Sequence, residues 1–300
     1  MTILVIGEVL LDHFPDYQRV GGAPLNFACH LKKLGLAVRL ITRIGADADG
    51  RRIRRLLERY GFNPTDLQTD PVLRTGAVNV ALDTAGVPTF DILSDVAYDR
   101  LQLEQIPESP ATDLPRLLYY GALIQRSPNG FEQVGRFLRR RPPGTKCFCD
   151  INLRPPHYSR ETVTQSLQYA DILKLNDQEL EDIRKLFGHP VPAEAFAEYL
   201  LSRFGIEMLA ITRGADGSTL MTAHERIVTS PSKIDAVVDT VGAGDGFAAI
   251  LAYGILQAQP LETIARAAND FAAEICQQPG AVVADDAFYR TWKSKLGGKP

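Results

Sequence analysis

Asp239-Thr240-Val241-Gly242-Ala243-Gly244-Asp245-Gly246-Phe247 joins an anion-binding turn to a carboxylate. The residues ahead of it, Ile234-Asp235-Ala236-Val237-Val238, read as a short apolar strand end, and Phe247 to Tyr253 reads as a buried helix. Gly242 and Gly244 permit a sharp turn that brings backbone N–H groups close to a ligand. The helix that follows points its positive end at the same spot. Such a place suits a phosphate or a developing negative charge, so an acid there requires a reason. One reason is proton abstraction: Asp245 takes the proton of an alcohol while the N–H groups hold the phosphoryl group that the alcohol attacks. The other is that an aspartate in a first helical turn complements the helix dipole. The stretch alone leaves both open. A dinucleotide-binding turn would need a third glycine where Phe247 stands, and a Walker A loop would need a Gly-Lys-Ser/Thr triplet that the chain lacks.

Working outward, apolar runs of strand length alternate with helix-length segments. Leu4–Gly7, Val38–Gly45, Leu117–Gly121, Cys147–Asp150, Ile172–Leu175 and Met208–Thr212 read as strands. Pro24–Leu34, Gly50–Tyr60, Phe131–Arg140, Arg160–Tyr169, Asp177–Phe187 and Ala193–Phe204 read as helices. The alternation predicts a parallel sheet covered on both faces. One region breaks the rhythm. Thr75–Asp83 and Thr89–Leu93 alternate as short strands around a turn at Thr84-Ala85-Gly86-Val87-Pro88, and Asp12–Val20 adds a further strand.

The chain has 300 residues, 45% of them hydrophobic, enough for one large domain. A net charge of −3 gives no sign of a nucleic-acid or anionic-membrane partner. Cys147 and Cys149 share one face of an apolar strand without a second Cys or His pair at zinc spacing, so the thiols read as buried and structural. The N-terminus is too short and uncharged for a signal peptide, and no apolar run is long enough to span a bilayer, so the expectation is a soluble cytoplasmic protein.

Other residues carry two readings each. Asp12, just after the first strand, is a loop carboxylate or an acceptor for two hydroxyls of a ligand beyond the strand ends. Asn26 is an early helix residue that caps locally. Arg154, held extended before Pro155-Pro156, is a solvated loop residue or a phosphate ligand. Asn176 with Glu179 makes a capping box, which leaves Glu179 able to hold a magnesium-bound water. Thr212-Arg213-Gly214-Ala215-Asp216-Gly217 is a turn between Met208–Thr212 and a strand at Ser218–Met221. Asn269 reads as a surface polar residue. Arg51, Arg52, Arg54, Arg55 and Arg59 read as a phosphate-binding face or, in preference, as the solvated side of a helix that buries Ile53, Leu56 and Leu57.

Asp-Thr-x-Gly-Ala-Gly-Asp resembles the C-terminal signature of ribokinase-type (PfkB) sugar kinases. Gly21-Gly22-Ala23-Pro24-Leu25-Asn26-Phe27-Ala28 resembles the family's N-terminal signature. The two occur in the right order, and the resemblance covers essentially all 300 residues. It implies a single ribokinase-like domain over 1–300, a three-layer α/β/α fold with a mainly parallel central sheet and a small β-sheet lid. The lid strands would be inserted at about 12–20 and 72–100.

It also implies a phosphotransferase that uses ATP and Mg2+, with K+ as a further ion. Asp245 would be the general base, and Gly242, Ala243 and Gly244 would stabilise the transferring group with Arg154. Asp12, Gly22 and Asn26 would contact the sugar. Asn176, Thr212, Gly214, Gly217 and Asn269 would line the nucleotide, with Gly217 allowing close backbone approach. Glu179 would hold magnesium through water. Asp239 and the Val241 carbonyl, with the loop Gln278-Pro279-Gly280-Ala281, would hold a monovalent cation.

Gly-Gly-Ala-Pro-x-Asn and Asp150-Ile151-Asn152-Leu153-Arg154 resemble fructokinases most, which implies fructose as the acceptor; the alternatives are another sugar, a sugar acid such as 2-keto-3-deoxygluconate, or a nucleoside. Implied partners are the sugar and ATP, with pairing of two copies through the lid as in relatives. A catalytically silent sugar-binding regulator is a reading of another class. Asp245 with both glycines intact argues for the enzyme.

Overall fold

The structure, a computed structural model, describes residues 2–82, 88–106, 114–231, 234 and 236–297. The chain runs through β1 (Thr2–Ile6), β2 (Leu10–His13), β3 (Gln18–Gly21), α1 (Ala23–Lys33), β4 (Ala37–Gly45), α2 (Ala48–Arg59) and β5 (Leu67–Asp70). It continues with β6 (Gly76–Leu82), β7 (Pro88–Ile92), β8 (Pro115–Tyr120), α3 (Pro128–Arg139), β9 (Lys146–Asp150), α4 (Arg160–Tyr169), β10 (Ile172–Asn176) and α5 (Asp177–Leu186). It ends with α6 (Ala193–Phe204), β11 (Met208–Thr212), β12 (Ser218–Met221), β13 (Arg226–Thr229), α7 (Ala243–Leu256), α8 (Leu261–Ile275) and α9 (Asp286–Lys295).

Among the described residues the main sheet has nine strands, in the order β13-β12-β11-β10-β9-β8-β1-β4-β5. From β11 to β5 all neighbours are parallel, while β12 and β13 add on antiparallel. The central strands are apolar along their whole length because both faces are covered: every residue of β1 is buried. One core packs α1, α2, α7, α8 and α9 against one face; the other packs α3 to α6 against the opposite face. The ribokinase-like three-layer architecture is present as expected. Cys147 and Cys149 lie together in the second core as free, buried thiols.

A second sheet of four strands, β3-β2-β6-β7, stands apart. It is two hairpins joined by a parallel β2–β6 pairing, which sets Asp12 beside Val78. Asp12–Val20 is therefore not one strand but a hairpin, closed by a bond from Phe14 N–H to the Tyr17 carbonyl. Leu10, Val78, Val80 and Ile92 pack with Leu123 of the main body beneath this lid. Val96, Tyr98 and Leu101 pack in the main core, and Tyr98 is wholly buried there with Arg126 over its ring. Residues 84–87 of the turn expected in the second hairpin lie outside the described residues.

Two local expectations differ. The apolar run 234–238, of which Asp235 lies outside the described residues, is not a strand where it is described. Val237 and Val238 are 60% and 61% exposed, and the Val238 N–H donates to the Cys276 carbonyl at the end of α8. Asn269 is not a surface residue. It is buried, and its amide ties α8 to β12 by donating to Ser218 Oγ and the Ala265 carbonyl, both at 2.9 Å. α2 buries Ile53 and Leu57 with its arginines outward, and Arg52 reaches over to the lid to bond Gln18. Among the described residues no helix is long and apolar enough to cross a membrane.

Candidate active site

Parallel strands deliver their carboxyl ends to one edge of a sheet, and that edge gathers the predicted residues. β1 leads to Glu8, β9 ends at Asp150 and leads to Arg154, β10 ends at Asn176 and β11 at Thr212. The β10–β11 register places Asn176 directly beside Thr212. α7 begins at the same edge and packs along α1.

The turn before α7 needs its glycine. Gly242 has φ +82°, and a Cβ there would lie 2.4 Å from that of Ala281. Ala243 points its own N–H toward the Thr240 carbonyl at 3.3 Å. Anion binding falls to the remaining N–H groups of the first helical turn, which in any helix lack an intrahelical acceptor.

Asp245 stands in that turn, half-buried, and its Oδ2 accepts the Asn26 amide at 2.7 Å. Asn26 thus reaches across from α1 instead of capping its own helix. Burial pushes the Asp245 carboxyl up to about 6, with the Asp150 charge as the next cause, against the Asn26 bond, Lys174 and Arg154. A carboxyl raised in this way is suited to accepting a proton.

Lys174 was not singled out by the sequence, and Asp150 only as the start of the Asp150-to-Arg154 motif, yet the two pair beneath the turn. Asp150 is 0% exposed and accepts Lys174 Nζ at 3.0 and 3.2 Å. A Cβ on Gly244 would lie 3.2 Å from that ammonium, so a buried positive charge sits against the anion turn. Burial opposes the Lys174 charge, but the carboxylates of Asp150, Glu179 and Asp245 together outweigh it and raise the pKa. The signal was a lysine inside the otherwise apolar strand Ile172–Leu175.

Asp12 lies on β2, and Gly21 leaves room for it: a Cβ on Gly21 would meet Asp12 Oδ2 at 2.8 Å. Burial raises the Asp12 carboxyl to about 6, with Arg19 and Arg154 pulling it down. Gly22, at φ +116°, packs on the Glu8 carbonyl, which a Cβ would approach to 2.6 Å. Glu8, also missed by the sequence reading, is 4% exposed, and burial pushes it up to about 7. Arg154 is exposed on the loop after β9, and its charge acts on Glu8, Asp12, Asp150 and Asp245.

On the nucleotide side, the capping box of Asn176 and Glu179 forms in both directions. Glu179 is buried, with one oxygen on the Asn176 N–H at 2.7 Å and the other on the Leu153 N–H at 2.8 Å. Engaged in this way, the carboxylate braces the Arg154 loop against the start of α5. Gly214 is in the turn after Thr212, with open space around it. Gly217 makes a close approach, but to β13: a Cβ there would lie 2.0 Å from the Thr229 carbonyl, not against a ligand.

Asp239 braces the anion turn. Its Oδ1 accepts the Val241 N–H at 3.0 Å, and its Oδ2 accepts the Gly280 N–H at 3.1 Å. Arg19 of the lid adds a guanidinium to the same Oδ2 at 2.9 Å. The carboxylate expected to hold a monovalent cation with the Val241 carbonyl thus also faces a fixed guanidinium.

The sequence profile of the pfkB family carbohydrate kinase matches residues 15–287. A fructokinase of Klebsiella pneumoniae is 29% identical over 286 residues, covering 91% of this chain and 91% of that protein. Aminoimidazole riboside kinase of Salmonella typhimurium is 28% identical over 272 residues, covering 85% and 81%. Among solved structures, a double-mutant fructokinase from Vibrio cholerae O395 in its fructose, ADP and potassium ion bound form matches at TM-score 0.82 and 25% identity, over 97% of each chain. The profile spans nearly the whole chain and the fold is shared from end to end: the chain is a phosphotransferase that belongs to the pfkB family of carbohydrate kinases.

Proposed function

We propose that this sugar kinase transfers the γ-phosphoryl group of ATP to a primary hydroxyl of a small sugar, fructose in the first place, with Asp245 as general base. The observation that carries the reading is the 2.7 Å bond from Asn26 to Asp245 inside the anion-binding turn. It aims a carboxylate held near 6 at the place where the N–H groups of the helix start would meet a phosphoryl group. Asp12, beside the Gly21-Gly22 turn, accepts sugar hydroxyls and fixes the acceptor. Lys174, under Gly244, and Arg154, from above, supply positive potential where the transferring group carries charge. The lid of β2, β3, β6 and β7 closes over the sugar and keeps water from competing as acceptor.

Asn176, Thr212 and Gly214 line the nucleotide, and Asn269 acts behind them by fixing β12. Magnesium, bound to the ATP phosphates and its own waters, would neutralise charge on the β- and γ-oxygens. Among the described residues no cluster of three or more His, Cys, Asp or Glu side chains could hold a metal by itself. Glu179 would hold magnesium through one of the ion's waters. Fructose is favoured by the fructokinase-like Asp150-to-Arg154 loop and by the fructokinases among the relatives. A riboside is the second reading, favoured by the aminoimidazole riboside kinase match.

The test is ATP consumption over a panel of fructose, other hexoses, 2-keto-3-deoxygluconate and aminoimidazole riboside. The proposal expects the highest kcat/KM with fructose. A higher value with another acceptor replaces the substrate but leaves the chemistry; sugar binding with no ATP consumption on any acceptor would indicate the silent regulator.

A further inference from the structure

Arg19 stands in β3 of the lid, and the residue it meets, Asp239, opens the loop that carries the anion turn in the main body. The two are 220 positions apart in sequence, and their 2.9 Å bond joins lid to body. The Arg19 guanidinium also lies along Gly280, where a Cβ would be 3.6 Å from its Cζ. On its own sheet Arg19 is the register partner of Asp12, and its charge draws the Asp12 carboxyl down. One guanidinium therefore faces the carboxylate that would hold the sugar and the carboxylate that braces the anion turn. Burial pushes Asp239 up, but the Val241 N–H, Arg19 and the Gly280 N–H together hold it below the ordinary carboxylate range, so it is ionised whenever the protein is folded near neutrality.

An ionised, partly buried carboxylate beside an anion site needs a counter-charge, or it repels the incoming phosphate. We infer that Arg19 is the resident counter-ion of the 239–241 and 278–281 loops, a positioning residue that takes the place a monovalent cation would fill and ties the anion turn to lid position. The inference rests on reading the turn at 242–244 as the phosphoryl site. Because the arginine belongs to a lid strand, the counter-charge is in place only when that strand lies against the loop. Nucleotide binding and lid placement are thereby coupled through one side chain.

The experiment compares the thermal midpoint and MgADP affinity of the wild type, Arg19→Gln and Arg19→Lys in potassium chloride and in N-methylglucamine chloride at equal ionic strength. Arg19 is part-exposed, so the variants test charge rather than core packing. The wild type should give the same midpoint and the same affinity in both salts. Arg19→Gln should bind MgADP about tenfold more weakly in N-methylglucamine and recover most of that loss in potassium. Arg19→Lys should stay insensitive to the salt. Potassium dependence of the wild type as large as that of Arg19→Gln would overturn the inference, and so would an Arg19→Gln protein with unchanged MgADP affinity in both salts. None of these readouts depends on which sugar is phosphorylated, so a failed acceptor panel and a failed counter-ion are told apart.

Discussion

The Asn26 amide donates to the Asp245 carboxylate at 2.7 Å, and that bond joins the two glycine-rich turns of the chain, one before α1 and one before α7. The two signatures, 219 residues apart, are thus halves of one device. In the proposed function, the first half orients the carboxylate that the second half carries.

Asn26→Ala removes this bond. The bond favours the ionised carboxylate, so its loss moves Asp245 further upward from about 6. The acid limb of the pH–kcat profile, where the rate rises as the base loses its proton, should shift to higher pH. The maximal rate should fall by about 10-fold for the lost orientation. Asp12 titrates in the same range, so the control is Asp12→Asn, whose kcat limb should stay where it was. An unshifted limb in Asn26→Ala would remove Asn26 from the orienting role.

Glu8 gives a stability prediction. Its folded carboxyl is raised from 4.5 to about 7 by burial. A raised carboxyl binds its proton more tightly in the folded state, so the associated stability is full below about pH 4.5 and is lost as pH rises through 7. Glu8→Gln keeps the shape without the titration. Its unfolding free energy should match the wild type near pH 4.5 and exceed it by up to roughly 3 kcal/mol at pH 8. The check is urea unfolding of both proteins across that range, and a constant difference would contradict the buried, titrating carboxyl.

Much of the fold was legible because buried parallel strands and amphipathic helices write their periods plainly. β1, β4, β8, β9, β10 and β11 fall within a few residues of the apolar runs, and α4 and α6 match them end to end. β5, with the sequence Leu-Gln-Thr-Asp, and β13, with Arg-Ile-Val-Thr, are four-residue edge strands that pair on one side only and need no apolar run. α9 is mostly polar and hides behind Tyr289 and Trp292 alone. The run 234–238 shows the converse: valines can be exposed where the chain crosses a helix end.

The site was legible wherever a signature sets residues close in sequence. Asp150 with Lys174 and Arg19 with Asp239 were not, because each pair is made by strand register and lid placement. A lone lysine in an apolar strand was the single hint.

Lys174→Met tests the floor of the site. It leaves the wholly buried Asp150 without its partner and should cost about 3–5 kcal/mol of stability. The double variant Asp150→Leu, Lys174→Met should regain most of that stability, since two apolar groups replace two charges. It should not regain the rate, because the positive charge beneath Gly244 is gone. Recovery of full kcat in the double variant would show that the pair is structural only.

The central claim, that Asp245 is the general base, is tested most directly by kcat of Asp245→Asn with saturating ATP and sugar. The amide keeps the shape and can still meet Asn26, but it cannot accept a proton. The account predicts a fall of on the order of 10²–10⁴ in kcat, the usual worth of a general base, with the binding of ATP and sugar retained. A kcat within about twofold of the wild type would contradict it.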